Sequence, residues 1–259
     1  MCTTCGCGTD EIRVTQVGTP GHAHAHPHDH PHEGTHPHTH EHVADGSRTH
    51  TIEVEQRVLA KNDDLAERNR RWLAERGIRA VNLMSSPGAG KTSLLERTIK
   101  ESDRTVTVIE GDQETVFDAE RIRAAGARAV QVNTGAGCHL DATMVQRALE
   151  TLQPDHGGIV FVENVGNLVC PALFDLGEDR KVVVISVTEG DDKPLKYPHM
   201  FAAADLVVVN KTDLLPHVDF DMERCKRDAR HLNPDLTWIS VSVRTGDNLG
   251  AWFDWLGTL

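Results

Sequence analysis

Three cysteines stand within the first seven residues, at Cys2, Cys5 and Cys7. Thiols this close cannot be buried apart from one another and are sterically poor disulfide partners. A soft ion that takes three sulfurs and the Met1 amine nitrogen is their natural occupant. Such a mixed S/N set suits square-planar Ni²⁺, and Zn²⁺ or Cu⁺ would also accept it. Ten of the sixteen histidines follow: His22, His24, His26, His28, His30, His32, His36, His38, His40 and His42. Imidazoles interleaved with Pro, Asp and Glu on an extended chain make many weak, exchangeable metal sites, a pattern that predicts storage or buffering.

A second chemistry begins at Ser85-Ser86-Pro87-Gly88-Ala89-Gly90-Lys91-Thr92-Ser93. This matches G-x-x-x-x-G-K-[ST] with Ser85 in place of the first glycine. Amides of such a loop, and of the helix it opens, cradle phosphate oxygens. Lys91 is then expected at the β- and γ-phosphates and the Thr92 hydroxyl on Mg²⁺. Asn210-Lys211-Thr212-Asp213 closes a later strand. The Asp213 carboxylate can accept from guanine N1 and N2, and its cost when left unpaired would reject adenine. Ser242 and Val243 follow the last strand and are expected to give backbone contacts to the base. Two carboxylates end intervening strands, Asp112 and Glu163, and both are candidates for Mg²⁺. Gly166 sits where an amide can sense the γ-phosphate. The residue that positions the attacking water is not legible.

A third group is sparser. Cys138-His139 lies in the loop after the third main strand, and Cys170 comes just after the fourth. Adjacent residues in a loop can turn toward one ion, and a parallel sheet can bring Cys170 to them. Three ligands leave a tetrahedral site one short, to be completed by water, a second subunit or a client protein. Cys225 stands alone in a helical stretch and reads as a small buried hydrophobe.

These groups need a frame. Strands are predicted at 80–84, 106–110, 129–132, 159–163, 182–187, 206–210 and 238–241, with helices at 92–102, 119–125, 142–152 and 222–231. Short uninterrupted Val/Ile runs separated by helices describe an α/β fold, a mostly parallel sheet covered on both faces. Ligands sit at the carboxyl ends of such strands, where every motif above falls. Ahead of this domain (79–259), residues 51–78 read as one amphipathic helix, with apolar stripes at Val58, Leu65, Trp72 and at Leu59, Ala66, Leu73. Residues 1–50 read as an extended, solvated metal-binding tail.

The chain has 259 residues, 39% of them hydrophobic, and a formal net charge of −12. That acidity sets a low expectation for nucleic-acid or membrane-surface roles. No apolar run reaches the roughly eighteen residues of a membrane span, and the first residues lack a signal peptide's apolar segment, so a cytoplasmic location is expected.

Taken together, SSPGAGKTS, EGDQETVFDAERIRA, NTGAGCHLDA, ENVGNLVCPA, VTEGDDKPLKYP and NKTDLL resemble the HypB family of hydrogenase nickel-incorporation GTPases, over nearly the whole chain. The resemblance implies a SIMIBI-type P-loop GTPase that hydrolyses GTP to GDP with Mg²⁺ and forms a homodimer. It implies that Cys138, His139 and Cys170 form a Ni²⁺/Zn²⁺ site at the dimer interface, and that Cys2, Cys5 and Cys7 are the tight N-terminal nickel site of some members. A HypA-type zinc protein and the hydrogenase large-subunit precursor are the implied partners. Nucleotide state and metal affinity are expected to be coupled, by about 1–3 kcal/mol. Two alternatives compete. Urease nickel-insertion GTPases carry a Cys-Pro-His segment where this chain has Gly137-Cys138-His139, and a pure nickel buffer would not need the phosphate loop.

Overall fold

The computed structural model describes residues 14–16, 47–112, 117–135 and 137–259, with side chains from residue 57 onward apart from 112–117 and 136. In chain order the elements are β1 (Val14–Gln16), α1 (Ser47–Ala74), β2 (Arg79–Ser85), α2 (Lys91–Glu101), β3 (Val106–Asp112), α3 (Phe117–Ala124), β4 (Arg128–Asn133), α4 (Ala142–Leu152), β5 (Ile159–Glu163), β6 (Arg180–Ser186), α5 (Lys193–Lys196), α6 (Pro198–Ala203), β7 (Leu206–Asn210), α7 (Met222–Leu232), β8 (Thr237–Ser240) and α8 (Leu249–Leu256). Short 3₁₀ turns cover Cys170–Leu173 and Thr212–His217.

The strands form one sheet in the order β1-β4-β3-β5-β2-β6-β7-β8. Pairing is parallel throughout except at the edge, where β1 runs antiparallel to β4 with Val14 opposite Val132. Three residues of the stretch expected to be solvated tail therefore add a strand to the sheet. The expected mostly parallel α/β architecture stands. The strand read at 182–187 begins earlier, at Arg180, and the one read at 238–241 begins at Thr237. Helices α5, α6 and α8 are additional to those read from the sequence.

Side chains alternate across the central strands, and both faces are dry. Val81 and Leu83 of β2, Ile159 and Phe161 of β5, Val182 and Val184 of β6, and Leu206 and Val208 of β7 face one way, under Leu94 and Leu95 of α2, Ile122 of α3 and Trp252 of α8. On the other face the core divides. Val160 and Val162 pack with Leu73 of α1 and Leu149 of α4, whereas Val183, Ile185, Val207 and Val209 pack with Met200, Phe201 and Cys225 of α6 and α7. Runs such as Val182–Ile185 must be apolar at consecutive positions because each residue meets a helix on one side or the other.

Helix α1 begins four residues before the predicted start and ends in a Schellman motif. Ile78 N donates to Leu73 O (3.0 Å) and Gly77 N to Ala74 O (3.0 Å), with Gly77 at φ 61°. Its buried stripe is Asn62, Ala66, Asn69 and Leu73. Val58, read as part of the apolar stripe, is 50% exposed. Two asparagines are buried instead because both are satisfied. Asn62 Nδ2 donates to Asp175 O (2.7 Å) and its Oδ1 accepts from Ala142 N (2.9 Å), and Asn69 Nδ2 donates to Ala142 O (2.9 Å) and Leu176 O (3.0 Å). Gly177, at φ 91°, admits this contact, since a Cβ there would lie 2.5 Å from Ala66 O. Among the described residues no helix is long and apolar enough to cross a membrane.

Candidate nucleotide and metal sites

The phosphate loop runs from the end of β2 into α2, beside the ends of β3 and β5. It borders a cavity of about 580 Å³ whose walls include Gly88, Lys91, Thr92, Glu110, Glu163 and Lys211. Gly90, at φ 105°, must be glycine, because a Cβ would meet Asn210 Nδ2 at 2.3 Å. Ser85, the departure from the loop consensus, has a use: its Oγ accepts from Lys91 Nζ (2.7 Å) and donates to Ser86 O (2.6 Å). Lys91 is almost wholly buried, and desolvation pulls its ammonium below the usual lysine range, opposed first by Glu163. A phosphate chain in the cavity would restore the partner that burial removes.

Thr92 Oγ1 donates to Glu163 Oε1 (2.7 Å), which joins the two expected Mg²⁺ ligands directly. Burial pushes the Glu163 carboxyl above the ordinary glutamate range, against Lys91 and the Thr92 hydrogen bond. Its Oε2 is buried without a hydrogen-bond partner. A carboxylate oxygen orphaned beside a hydroxyl and a lysine fits a hard divalent cation. The backbone of Asp112 ends β3, while its side chain lies outside the described residues. Three residues of this cavity escaped the sequence reading: Glu110, Asp118 and Arg121. Glu110 is buried at the end of β3, opposite Glu163 in the sheet register. That position, two residues before Asp112, was a visible signal. For Arg121, which reaches Ser93 Oγ (3.2 Å) and Glu96 Oε2 (2.8 Å), nothing in the sequence says that α3 turns this face to the loop.

The Asn210–Asp213 turn grips the same loop. Asn210 Nδ2 donates to Ala89 O (2.9 Å), its Oδ1 accepts from Lys211 N (2.7 Å) and Val243 N (3.1 Å), and Lys211 Nζ donates to Gly88 O (2.7 Å). Two partners here were not legible in the sequence. The Val243 amide, expected to face a base, donates here to the Asn210 side chain. Asp213 is not a bare carboxylate. Ser242 Oγ donates to its Oδ1 (2.6 Å), and Arg244 Nε and Nη2 donate to Oδ2 (3.0 and 2.8 Å). The turn therefore holds this carboxylate by side-chain donors and does not leave it as an unpaired anion. Ser242 first, and Arg244 after it, hold the Asp213 carboxyl below the ordinary aspartate range.

Cys138, His139 and Cys170 do come together. Their donor atoms lie within 4.8 Å of one another, with Cys138 Sγ 2.8 Å from Cys170 Sγ and 3.6 Å from His139 Nδ1. The His139 ring stacks on Phe174 (centroids 3.9 Å apart, 25° between planes). Burial pulls its pKa below the usual histidine value, against Asp141, which favours the neutral form that ligates metals. Cys225 is apart from this group, fully buried on α7, with its thiol pushed up to about 12 by burial, which makes it inert as expected. Cys2, Cys5, Cys7 and the ten tail histidines lie outside the described residues.

Residues 79–240 match the family profile described as CobW/HypB/UreG, nucleotide-binding domain. The chain is 54% identical to the hydrogenase maturation factor HypB of Rhizobium leguminosarum bv. viciae, over 99% of this chain and 95% of that one. Among solved structures it resembles hydrogenase maturation factor HypB from Archaeoglobus fulgidus, at 44% identity and a TM-score of 0.72, covering 77% of this chain and 98% of that one. It also resembles HypB from Helicobacter pylori in complex with nickel, at 38% identity and a TM-score of 0.73, covering 76% and 93%.

Proposed function

The chain belongs to the HypB family of hydrogenase maturation factors, and from that premise we propose a GTP-hydrolysing metallochaperone that delivers nickel to the [NiFe]-hydrogenase large-subunit precursor. The observation that carries this reading is the convergence of Cys138, His139 and Cys170 within 4.8 Å, on loops adjoining the phosphate-binding loop. A buffer needs no such neighbour, and a plain GTPase needs no such thiols.

In this reading Gly88, Ala89, Gly90 and Ser93 line the phosphates and Lys91 counters their charge. Asn210 and Lys211 brace the loop, and Asp213, oriented by Ser242 and Arg244, reads the guanine edge. Thr92, Glu163 and Asp112 would hold Mg²⁺, which when bound neutralises charge on the β- and γ-phosphate oxygens. Lys91, already desolvated, strengthens its hold on charge that develops in the transition state, because low dielectric amplifies the attraction.

Ni²⁺ is cargo at the Cys138–His139–Cys170 site. Two thiolates and an imidazole also suit tetrahedral Zn²⁺, so zinc competes for the same donors. A three-donor site releases its ion more readily than a closed one, as delivery requires. Val169 and Leu173 stand half-exposed on either side of Cys170, which supports a homodimer that meets across this face. A HypA-type zinc protein as nickel donor or acceptor, and a cytoplasmic location, complete the proposal. The tail, with Cys2, Cys5, Cys7 and its histidines, is assigned nickel capture.

The test is deletion of the gene, with hydrogenase and urease activities measured with and without added nickel. Loss of hydrogenase that excess nickel partly restores is expected. Loss of urease alone would transfer the assignment to urease, and full rescue by the Lys91→Ala chain would reduce the protein to a metal buffer.

A further inference from the structure

Eight residues, Glu163 to Cys170, connect the two sites, and the side chains along them have distinct attachments. Glu163 is bonded to Thr92 of the phosphate loop. Gly166 lies against the same loop, close enough that a Cβ would stand 3.1 Å from Pro87 Cγ and 3.3 Å from Pro87 Cα. Cys170 is one of the three clustered donors assigned above to nickel. Between these points stand two asparagines that grip the backbone on either side of His139.

Asn164 is buried and fixed. Its Oδ1 accepts from Leu140 N (3.2 Å) and Val165 N (3.0 Å), and its Nδ2 donates to Asn82 Oδ1 (3.3 Å). Asn82 in turn donates to Glu178 Oε1 (3.1 Å), and Glu178 Oε2 accepts from Leu176 N (2.7 Å). A chain of satisfied buried polar groups is rigid, because any displacement strands a group without water to replace its partner.

Asn167 is attached differently. It is part-buried, its Nδ2 donates to Cys138 O (3.3 Å), and its Oδ1 accepts from Val169 N (2.8 Å). One amide therefore spans the backbone of the first thiol ligand and the residue just before the second. Its own N–H donates to Val165 O (2.7 Å), next to Gly166. A neighbouring cavity of about 520 Å³, bordered by Ser86, Pro87, Cys138, Gly166, Asn167 and Val169, leaves this segment room to move.

We propose that Asn167 is the joint through which nucleotide state sets the spacing of the Cys138–His139–Cys170 site, with Asn164 as its buried fulcrum. This rests on the coupled GTPase and metal-delivery reading above. A γ-phosphate that draws the Gly166 backbone toward the phosphate loop displaces Asn167. That displacement weakens the bond to Cys138 O and changes the separation of the two thiols, while Asn164 keeps Leu140 in place. Both asparagines act through other residues, so they are positioning residues.

The test compares Ni²⁺ affinity of the full chain with GDP and with a non-hydrolysable GTP analogue, using Cys170→Ser to identify the part due to this site. Asn167→Asp is close to isosteric. It keeps the acceptor for Val169 N but turns the donor into an oxygen facing the Cys138 carbonyl, and Asn167→Ala removes both bonds. The wild-type affinity ratio is expected in the range of about 5- to 150-fold, and both variants should bring it to within about twofold of unity. Affinity for GDP should remain close to wild type, a combination that simple loss of stability does not produce. A wild-type ratio retained in both variants overturns the joint while leaving coupling intact. A wild-type ratio of one sinks the coupled reading itself, and the unmodified chain alone reveals it.

Discussion

Asp213 carries the sharpest test at the scale of single residues. An amide at this position cannot accept from both guanine N1 and N2, so Asp213→Asn should weaken GTP binding by about 10²-fold or more. Xanthosine triphosphate, which has a carbonyl where guanine has its amine, should recover part of that loss in a direct binding assay. The pH behaviour follows from the depressed Asp213 pKa. A lowered carboxyl stays ionised as pH falls through the ordinary aspartate value, so its contribution is lost only at still more acid pH. The ratio of GDP to IDP affinity, in which phosphate and Mg²⁺-site titrations cancel and only the contact to the guanine amine remains, should therefore be flat between about pH 7 and about pH 5, and a decline of that ratio centred in this range would remove Asp213 from base recognition. At Glu163, the buried unpartnered oxygen makes a second prediction. Glu163→Gln should raise the Mg²⁺ concentration for half-maximal hydrolysis by about 10- to 100-fold, measured as phosphate release at saturating GTP.

At the scale of elements, α1 and α8 hold the domain in ways that differ chemically. Helix α1 docks through Asn62 and Asn69 as much as through Ala66 and Leu73, and its amides fasten Ala142, three residues beyond His139, to the 175–176 turn. Asn69→Ala should cost about 1–3 kcal/mol in urea unfolding and raise hydrogen exchange along α1. Unchanged exchange would mean that apolar contacts alone hold the helix. Helix α8 buries Trp252 completely, its Nε1 donating to Thr98 Oγ1 (2.9 Å), and Thr98 passes the bond on to Leu94 O (2.7 Å). Trp252→Ala should cost about 3–5 kcal/mol, since the site borders rigid strands that cannot collapse into the space. The α1 periodicity was legible in the sequence, but its buried asparagines were not. An apolar stripe signals burial by composition, whereas a buried amide is justified only by partners on other elements.

For the whole molecule, the tail and the domain make separable contributions. Removing residues 1–46 should leave steady-state GTP hydrolysis within about threefold of the full chain while raising the nickel concentration at which hydrogenase activity recovers, because the cysteines and histidines of the tail are metal donors and none of the nucleotide-site residues named above lies in it. A collapse of hydrolysis would show that the tail belongs to the catalytic unit, a result that β1 on the sheet edge makes worth seeking. The phosphate loop, the Asn210–Asp213 turn and the alternating strands and helices were determined by local sequence, because each needs only neighbouring residues at fixed spacing. Spacing also suggested that a parallel sheet can bring Cys170 to Cys138-His139. Only the tertiary structure decided that these donors converge within 4.8 Å, that Ser242 and Arg244 hold Asp213, and that Arg121 turns toward the phosphate loop. Such facts depend on distances between residues far apart in the chain, and the packing of several helices on one sheet sets those distances, which no local pattern encodes.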